Sequence, residues 1–389
     1  MEIAKKIHIP YELHLKTLHE ALKEIHSSSC IGMVLPSSLM GRGGLGLEGE
    51  LIQIIATWLR HSETRDLSLC LRAMDLDDRS SFLYDTFAAR MSEKISLLDQ
   101  DVITKNYFLK DAYNKYRSLL NLDFESAARD GYLIIPCFSA KLSNKEFNSP
   151  LYENGRLIEK DRFFDLMKSV LNTVVKEKGC LDFINRYIND ICSIVYELFE
   201  NTHKHGRFDI YGNRIVENCR AIIFNFQKVD LDFMSRQAGG GITLEPRFHV
   251  FAMNSSAWIE KNQRKLPILD ITILDCGAGF ASNTTKRQVE DLTEVEEINA
   301  VKSCFNKYRT SSSNSAAGGG LTDVLIMLQR LMGRMRLRTG RLTMGKSFYD
   351  SGDPENFTEA DFNYHREGAV IGSSINISIP LVNLEADHV

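Results

Sequence analysis

Residues 188–205 limit the possible folds of this chain more than any other segment, because the two sides of a helix over this segment would differ sharply in chemistry. At about 100° per residue, one side of such a helix gathers mainly apolar residues: Ile188, Ile191, Val195, Leu198, Phe199 and Thr202. The roughly opposite side gathers polar ones: Asp190, Ser193, Glu197, Asn201 and Lys204. An ordinary amphipathic helix turns its polar side toward water.

The polar groups of this segment indicate a second use. Glu197 precedes Asn201 by four residues, and Lys204 and His205 follow within the next turn. A carboxylate one turn from a carboxamide, followed by basic groups, is suited to hold a metal-bound polyphosphate and to activate a water molecule. One helix forms only half of such a pocket, so the other half must come from elsewhere in the chain.

Composition excludes several classes of protein. The chain has 389 residues, enough for two domains, with the 43% hydrophobic and 25% charged content of a globular protein. A net charge of −4 without a long basic or acidic run gives no clear nucleic-acid signal and no membrane-surface signal. The N-terminus lacks the apolar core of a signal peptide, and no apolar stretch has membrane-spanning length. We therefore expect a cytoplasmic protein.

The eight cysteines are scattered singly. Without a Cys-x-x-Cys pair, neither a zinc knuckle nor a redox motif is indicated. Most of the cysteines lie in apolar stretches and are expected to be buried free thiols, which suits a reducing cytosol.

Residues 1–145 are expected to form a smaller N-terminal α/β domain, and no motif in it indicates a function. The hydrophobic pattern predicts helices and strands in this part, with helices at 11–27, from the glycine-rich segment to 60, and at 81–95, and strands at 31–35, 67–73 and 132–138. The glycine-rich segment 37–49 lies between a strand and a helix, as a phosphate-binding loop would. It lacks the Gly-Lys-Ser/Thr ending and the dinucleotide spacing, so a flexible connection or a partner-binding loop is favoured.

A polar linker at 146–158 separates this part from a second domain at 159–389. The pattern in the second domain predicts further helices at 161–176 and 321–332, strands at 220–226, 268–274, 336–338 and 371–381, and an insertion at 227–267.

The second half of the expected pocket begins where the strongest strand ends. Asp275 can accept a hydrogen bond from an exocyclic amine such as the adenine N6 group. Gly277 and Gly279 allow a ring to approach the backbone because neither carries a side chain. A simple turn explains the same Asp-x-Gly-x-Gly pattern nearly as well.

Residues 304–324 suit a lid over phosphates. Lys307 and Arg309 precede a Ser/Asn/Ala stretch without apolar anchors, and Gly318, Gly319 and Gly320 lead into a helix from Leu321. The N-terminal amides of that helix would face an anion, and a mobile segment between cations and a helix end can close over phosphates. A disordered surface loop is the alternative.

Taken together, these segments resemble the Bergerat-fold ATPases of the GHKL superfamily over roughly residues 160–381. ELFENTHKHG (197–206) looks like the N box of that superfamily in its histidine-kinase form, and DCGAG (275–279) looks like the G1 box. FNKYR (305–309) is similar to the segment before the lid, GGGLTDV (318–324) to the G2 box, and GSSINISIP (372–380) to the last strand motif.

The resemblance implies an α+β fold with a C-terminal Bergerat-type α/β sandwich, in which a mixed sheet carries helices on one face. It also implies ATP and Mg²⁺ as cofactors, with Asn201 ligating the metal and Glu197 orienting or deprotonating the attacking water. Lys204 and His205 would contact phosphate or ribose oxygens. Asp275 would read adenine in a base pocket shaped by Gly277 and Gly279, and Gly318 and Gly320 would let the lid backbone wrap the phosphates.

Three features depart from the superfamily pattern. Thr322 stands where the kinases usually have a further glycine, so the lid hinge is expected to be stiffer. The insertion at 227–267 is long. Glu200, beside Asn201, competes as the base, although the four-residue spacing to Asn201 favours Glu197.

The expected function is Mg-dependent ATP binding with slow hydrolysis by a histidine kinase-like ATPase, in which lid closure is a switch for a protein partner, an effector or a homodimer. The alternatives are a protein kinase acting on a serine or histidine of a separate protein, and an ATP sensor that does not hydrolyse. No histidine before residue 180 has the His-(Glu/Asp)-x-x-x-Pro context, which disfavours autophosphorylation on histidine.

Overall fold

The computed structural model describes residues 5–28, 31–36, 45–63, 66–70, 94–97, 114, 116–139, 149–215, 218–230, 265–306, 320–348, 352–366 and 368–382. Within these ranges the chain is an α+β protein, as predicted, with one large sheet, one small parallel sheet and several helices. No helix in the same ranges combines the length and the apolar character needed to cross a membrane.

The helices and strands are numbered in chain order. The helices are α1 (Leu15–Ser27), α2 (Leu47–His61), α3 (Phe124–Ala127), α4 (Lys160–Val174), α5 (Lys178–His205), α6 (Phe280–Thr285), α7 (Glu294–Cys304) and α8 (Gly320–Arg330). The strands are β1 (Lys5–His8), β2 (Ile31–Pro36), β3 (Asp66–Cys70), β4 (Lys94–Leu97), β5 (Tyr132–Ser139), β6 (Tyr152–Glu153), β7 (Arg156–Leu157), β8 (Asn218–Asp230), β9 (Lys265–Asp275), β10 (Arg334–Gly340), β11 (Leu342–Ser347), β12 (Phe362–Tyr364) and β13 (Val370–Pro380).

The large sheet has seven strands in the order β12-β11-β10-β13-β9-β8-β5. Each neighbouring pair is antiparallel, so the prediction of a mixed sheet is wrong for this sheet. The four strands β1 to β4 form a separate parallel sheet, in which α1 and α2 connect successive strands. Helical crossovers of this kind are what parallel strands require.

The first face of the large sheet is apolar and packs against α4, α5 and α8. Alternate residues of β9, including Leu269, Ile271 and Ile273, share one core with the apolar side of α5. Helix α5 has non-helical dihedral angles at Tyr187 (φ −108°, ψ 18°). The part of α5 after this kink is the predicted helix 188–205, and its apolar side is buried as expected.

The second face of the large sheet is covered by α2, which corrects the prediction of helices on one face only. Helix α2 packs against β13 and β9, and Glu48 to Leu59 are all buried. The sheet residues opposite α2 are largely polar, because side chains alternate between faces along a strand. Asp270 accepts hydrogen bonds there from Asn376 and Ser378, and Glu50 forms a buried ion pair with Arg336.

Strand β5 belongs to the large sheet, although the sequence placed it in the N-terminal domain. Tyr132 to Ser139 pair with β8 along their whole length. A second hydrophobic core joins α1, α2 and β2 to this face of β5 and β8. The predicted linker at 146–158 therefore follows the edge strand of the sheet, and the parts on either side of it share a core.

Other sequence predictions have mixed outcomes. Residues 94–97 are a strand, so the helix predicted at 81–95 is wrong at its end, and its other residues lie outside the described ranges. The sequence also missed α7, β1, β11 and β12. Five cysteines are buried free thiols as expected: Cys137, Cys180, Cys192, Cys219 and Cys276. Most of the insertion at 227–267 lies outside the described ranges.

The described part of the glycine-rich segment, 45–49, brings α2 close to the sheet. A Cβ atom added at Gly49 would lie 2.5 Å from the Ser374 hydroxyl oxygen and 2.8 Å from a Thr272 methyl carbon. A Cβ at Gly46 would lie 2.7 Å from the Asn376 Cβ. At these two positions the absence of a side chain allows α2 to pack closely against the sheet.

We expect Gly49→Ala to destabilise the fold although alanine favours helix. The new methyl group would overpack the contact with Ser374 and Thr272, at a cost of about 1–3 kcal/mol. Gly179→Ala is the matched control, because a Cβ at Gly179 on α5 meets nothing within 4 Å and the helix should gain up to about 1 kcal/mol. Denaturant unfolding measures both changes, and equal stabilisation by the two variants would contradict the close contact.

Candidate functional site

Helix α5 and the start of α8 meet at Glu197. The Glu197 carboxylate is mostly buried, with 22% of its side chain exposed. A Cβ at Gly320, the first residue of α8, would lie 2.7 Å from Glu197 Oε2. The glycine therefore lets the helix N-terminus reach the carboxylate, so the predicted base and the predicted end of the lid are adjacent.

The remaining polar residues of α5 differ in their surroundings. Asn201 is half-buried, and its carboxamide makes no hydrogen bond to any described residue. Lys204 donates to the Glu200 carboxylate at 2.7 Å, which occupies both groups with each other. His205 is exposed, and its pKa is lowered by partial desolvation and by the positive charges of Lys204 and Lys286.

The end of α5 also meets the turn after β9. A Cβ at Gly277 would lie 2.7 Å from the Gly206 Cα, and a Cβ at Gly206 would lie 2.5 Å from the Asp275 Cβ. The two glycines thus allow backbone contact between the helix end and the turn. This contact brings Asp275 to the C-terminal end of the helix that carries Glu197 and Asn201.

Asp275 is a buried carboxyl group, with 7% of the residue exposed. Its Oδ1 accepts a hydrogen bond from the Gly277 amide at 2.8 Å. Burial raises its pKa to about 6, and the Gly277 amide, Arg220 and Arg60 limit the rise. Near neutral pH the group is an ionised hydrogen-bond acceptor within a buried site, as the recognition of an amine requires.

Gly279 ends the turn and precedes α6. Its φ of +83° favours glycine, and a Cβ there would lie 2.9 Å from the Thr339 hydroxyl oxygen. Thr339 Oγ1 also accepts from the Phe280 amide. The predicted glycine is therefore needed to connect the turn to α6 and β10.

The two described ends of the predicted lid are tied together. Thr322 is buried, and its hydroxyl donates to the Phe305 carbonyl oxygen at 2.9 Å. Leu321 follows Gly320 in the first turn of α8. Lys307, Arg309, Gly318 and Gly319 lie outside the described residues. The threonine that departs from the glycine pattern thus joins the residue before the lid to the helix after it.

The sequence missed Lys160, which lies at the start of α4. Its ammonium group is 3.2 Å from Glu197 Oε1 and lies over the ring of Tyr196. The 37-residue separation from Glu197 offered no local signal for this contact.

A second missed group lies beneath Asp275. Arg220 is opposite Asp275 in the β8–β9 ladder and donates to the Tyr152 hydroxyl group. Tyr152 also hydrogen bonds with His203 Nδ1 at 3.0 Å. Burial raises the pKa of the Tyr152 hydroxyl above its ordinary value, so the group stays protonated. This network holds the buried arginine near the carboxylate.

The described residues contain no cluster of three or more His, Cys, Asp or Glu side chains that would form a closed metal site. Comparison with known proteins adds no assignment, because no protein-family model, curated protein or solved structure matches the chain.

We expect Asp275→Asn to gain stability relative to the wild type as the pH rises. The pKa of Asp275 is about 6 in the folded chain and 3.8 ordinarily. The folded state therefore binds this proton more tightly, and the free energy of unfolding falls as the pH rises between these values. The full effect is roughly 3 kcal/mol at about 1.4 kcal/mol per unit.

Denaturant unfolding of wild type and Asp275→Asn at pH 4.5 and pH 7.5 measures this difference. The variant should gain roughly 1–3 kcal/mol on the wild type between the two pH values. An identical pH dependence for the two proteins would mean that Asp275 ionises as easily in the folded chain as in the unfolded one.

Proposed function

We propose that this chain binds Mg·ATP as a Bergerat-fold protein of the GHKL class and hydrolyses it slowly. Lid closure then acts as a conformational switch for a protein partner, an effector or a second copy of the chain. The observation that carries the proposal is the meeting of three distant segments: the end of α5, the turn at 275–279 and the start of α8. Their contacts are Gly320 with Glu197, and Gly277 with Gly206.

The charge distribution of this region suits a nucleotide. The N-terminal end of a helix carries partial positive charge and backbone amides without an intrahelical partner, so the start of α8 favours an anion beside it. At the C-terminal end of α5, beyond Glu197, Asp275 is an acceptor in a buried position. A polar molecule with a phosphate chain at one end and an amine-bearing base at the other matches this arrangement.

The residues present fit a nucleotide-bound Mg²⁺ ion. Mg²⁺ usually keeps several water ligands and takes few from the protein when it bridges phosphates. The Asn201 carboxamide is half-buried and has no hydrogen-bond partner among the described residues, so its oxygen is available as one ligand. When bound, the ion would neutralise phosphate charge.

Glu197 is favoured over Glu200 as the group that orients the attacking water. Both carboxylates pair with a lysine, Glu200 with Lys204 at 2.7 Å and Glu197 with Lys160 at 3.2 Å. Only Glu197 also lies against the first residue of α8, where phosphates are expected. A positioned carboxylate beside the terminal phosphate can orient water or accept its proton. The pairing of Lys204 with Glu200 implies that Lys204 must leave its partner to contact a phosphate.

A single experiment with γ-labelled ATP distinguishes an ATPase from the two alternatives, a protein kinase and an ATP sensor. An ATPase releases labelled phosphate. A protein kinase leaves the label on a serine or histidine of another protein, and a sensor binds the nucleotide but does neither.

We expect Asn201→Ala to abolish Mg·ATP binding, because the metal loses its protein ligand. Asn189→Ala is the matched control, since Asn189 is an exposed residue earlier on the same helix. Isothermal titration with Mg·ATP measures both affinities. Unchanged affinity in Asn201→Ala, with an Asn189→Ala variant that binds like wild type, would rule out the metal site on α5.

We expect Glu197→Ala to bind ATP and lose turnover by roughly 10²-fold or more, the usual contribution of a general base. Glu200→Ala, which frees Lys204, should retain turnover within a few fold. Phosphate release under saturating Mg·ATP is the measurement. Normal release from Glu197→Ala, or a loss in Glu200→Ala alone, would reject Glu197 as the base.

A further inference from the structure

The C-terminal half of α2 holds the start of β13 behind the proposed adenine site. The Thr57 hydroxyl oxygen accepts from the Ile371 amide at 3.1 Å, and Gln53 donates to the Ile371 carbonyl oxygen at 3.3 Å. The backbone amide and the backbone carbonyl of Ile371, the second residue of β13, are therefore both hydrogen-bonded to one helix. Thr57 and Gln53 are themselves fully buried.

The same helix also binds the turn itself. Arg60 Nη2 donates to the carbonyl oxygen of Cys276, the residue between Asp275 and Gly277. Arg60 is an exposed residue, whereas Cys276 is buried. A charged donor on a backbone carbonyl group is a strong hydrogen bond, so the peptide unit after Asp275 is anchored from α2.

Gly372 links the two segments that α2 holds, the start of β13 and the turn after β9. It follows Ile371 with a φ of +73°, and a Cβ there would lie 2.0 Å from the Asp275 carbonyl oxygen. The backbone at the start of β13 is thus in direct contact with the backbone of the turn after β9. A displacement of the end of α2 would move both the strand and the turn that border Asp275.

We propose that Arg60 is a positioning residue for base recognition: it holds the Cys276 carbonyl group so that Asp275 is presented to the exocyclic amine of an adenine nucleotide. This inference rests on the proposed function. It assigns to α2, and so to the N-terminal part of the chain, control over nucleotide affinity.

Electrostatics support the same role. The charged groups that act on Asp275 are Arg220 of β8 and Arg60 of α2, and both lower its pKa against the effect of burial, as does the Gly277 amide. Removal of the Arg60 charge therefore raises the pKa of Asp275. A protonated carboxyl group would present a hydrogen-bond donor to the amine, which is itself a donor. As the pH falls, ATP binding by such a variant should therefore begin to weaken at a higher pH than in the wild type.

The test compares the intact chain with Arg60→Gln, Arg60→Lys and the control Arg162→Gln. Arg162 is an arginine in an exposed ion pair on α4. Dissociation constants are measured for Mg·ATP and for Mg·ITP, in which a carbonyl oxygen replaces the amine, between pH 5.5 and 8. Wild type should prefer ATP, and Arg60→Gln should lose roughly tenfold in ATP affinity while ITP affinity stays within about twofold.

The pH at half-maximal ATP affinity should rise by roughly half a unit in Arg60→Gln and return toward wild type in Arg60→Lys. Arg162→Gln should match wild type in all respects. If Arg60→Gln kept the wild-type preference for ATP over ITP and the wild-type pH profile, Arg60 would have no positioning role.

Thr57→Val provides a second variant if Arg60→Gln unfolds. It removes the acceptor for the Ile371 amide and keeps the Arg60 charge, so it should weaken ATP binding without moving the pH profile. Wild-type ATP affinity in Thr57→Val would overturn the inference. A wild-type chain that binds neither nucleotide would instead reject the proposed function, and these failures are therefore separable.

Discussion

A backbone contact between the end of α5 and the turn after β9 determines the arrangement of the proposed site. It depends on Gly206 and Gly277, since a Cβ at either position would overlap atoms of the other segment or of Asp275. The contact places a buried carboxyl group beside the end of the helix whose polar side carries Glu197 and Asn201. Burial of that carboxyl is unfavourable for folding near neutral pH, and such costs are characteristic of functional groups.

The two faces of the large sheet differ in chemistry, and this difference positions α2. The face toward α5 is an apolar core, whose hydrophobic contacts are non-directional. The face toward α2 contains the Glu50–Arg336 ion pair and the bonds of Asp270 with Asn376 and Ser378. A buried polar network is costly unless each member finds its partner. It therefore favours one register for α2 on the sheet.

Local periodicity predicted the elements that carry the site. Helix 188–205 and the strands at 268–274 and 371–381 have the hydrophobic spacing of their final structure, so their types were readable. The antiparallel order of the sheet was not, because strand pairing between β5 and β8 joins residues far apart in sequence. The same limit concealed Lys160 beside Glu197.

Helix α2 shows a different limit of sequence reasoning. Glu48, Glu50 and Gln53 would ordinarily indicate an exposed side, yet each is at most 3% exposed. Their partners are Tyr132, Arg336 and backbone carbonyl groups of distant strands. The glycines at 46 and 49 gave a pattern typical of a loop, and only the folded chain relates them to the sheet.

Hydrogen–deuterium exchange with and without saturating Mg·ATP tests most directly whether the three segments enclose one nucleotide. Exchange should slow together at the end of α5 (197–206), in the turn and α6 (275–285) and at the start of α8 (320–325). Slowing in only one of these regions, or slowing confined to residues 45–50, would contradict a shared site.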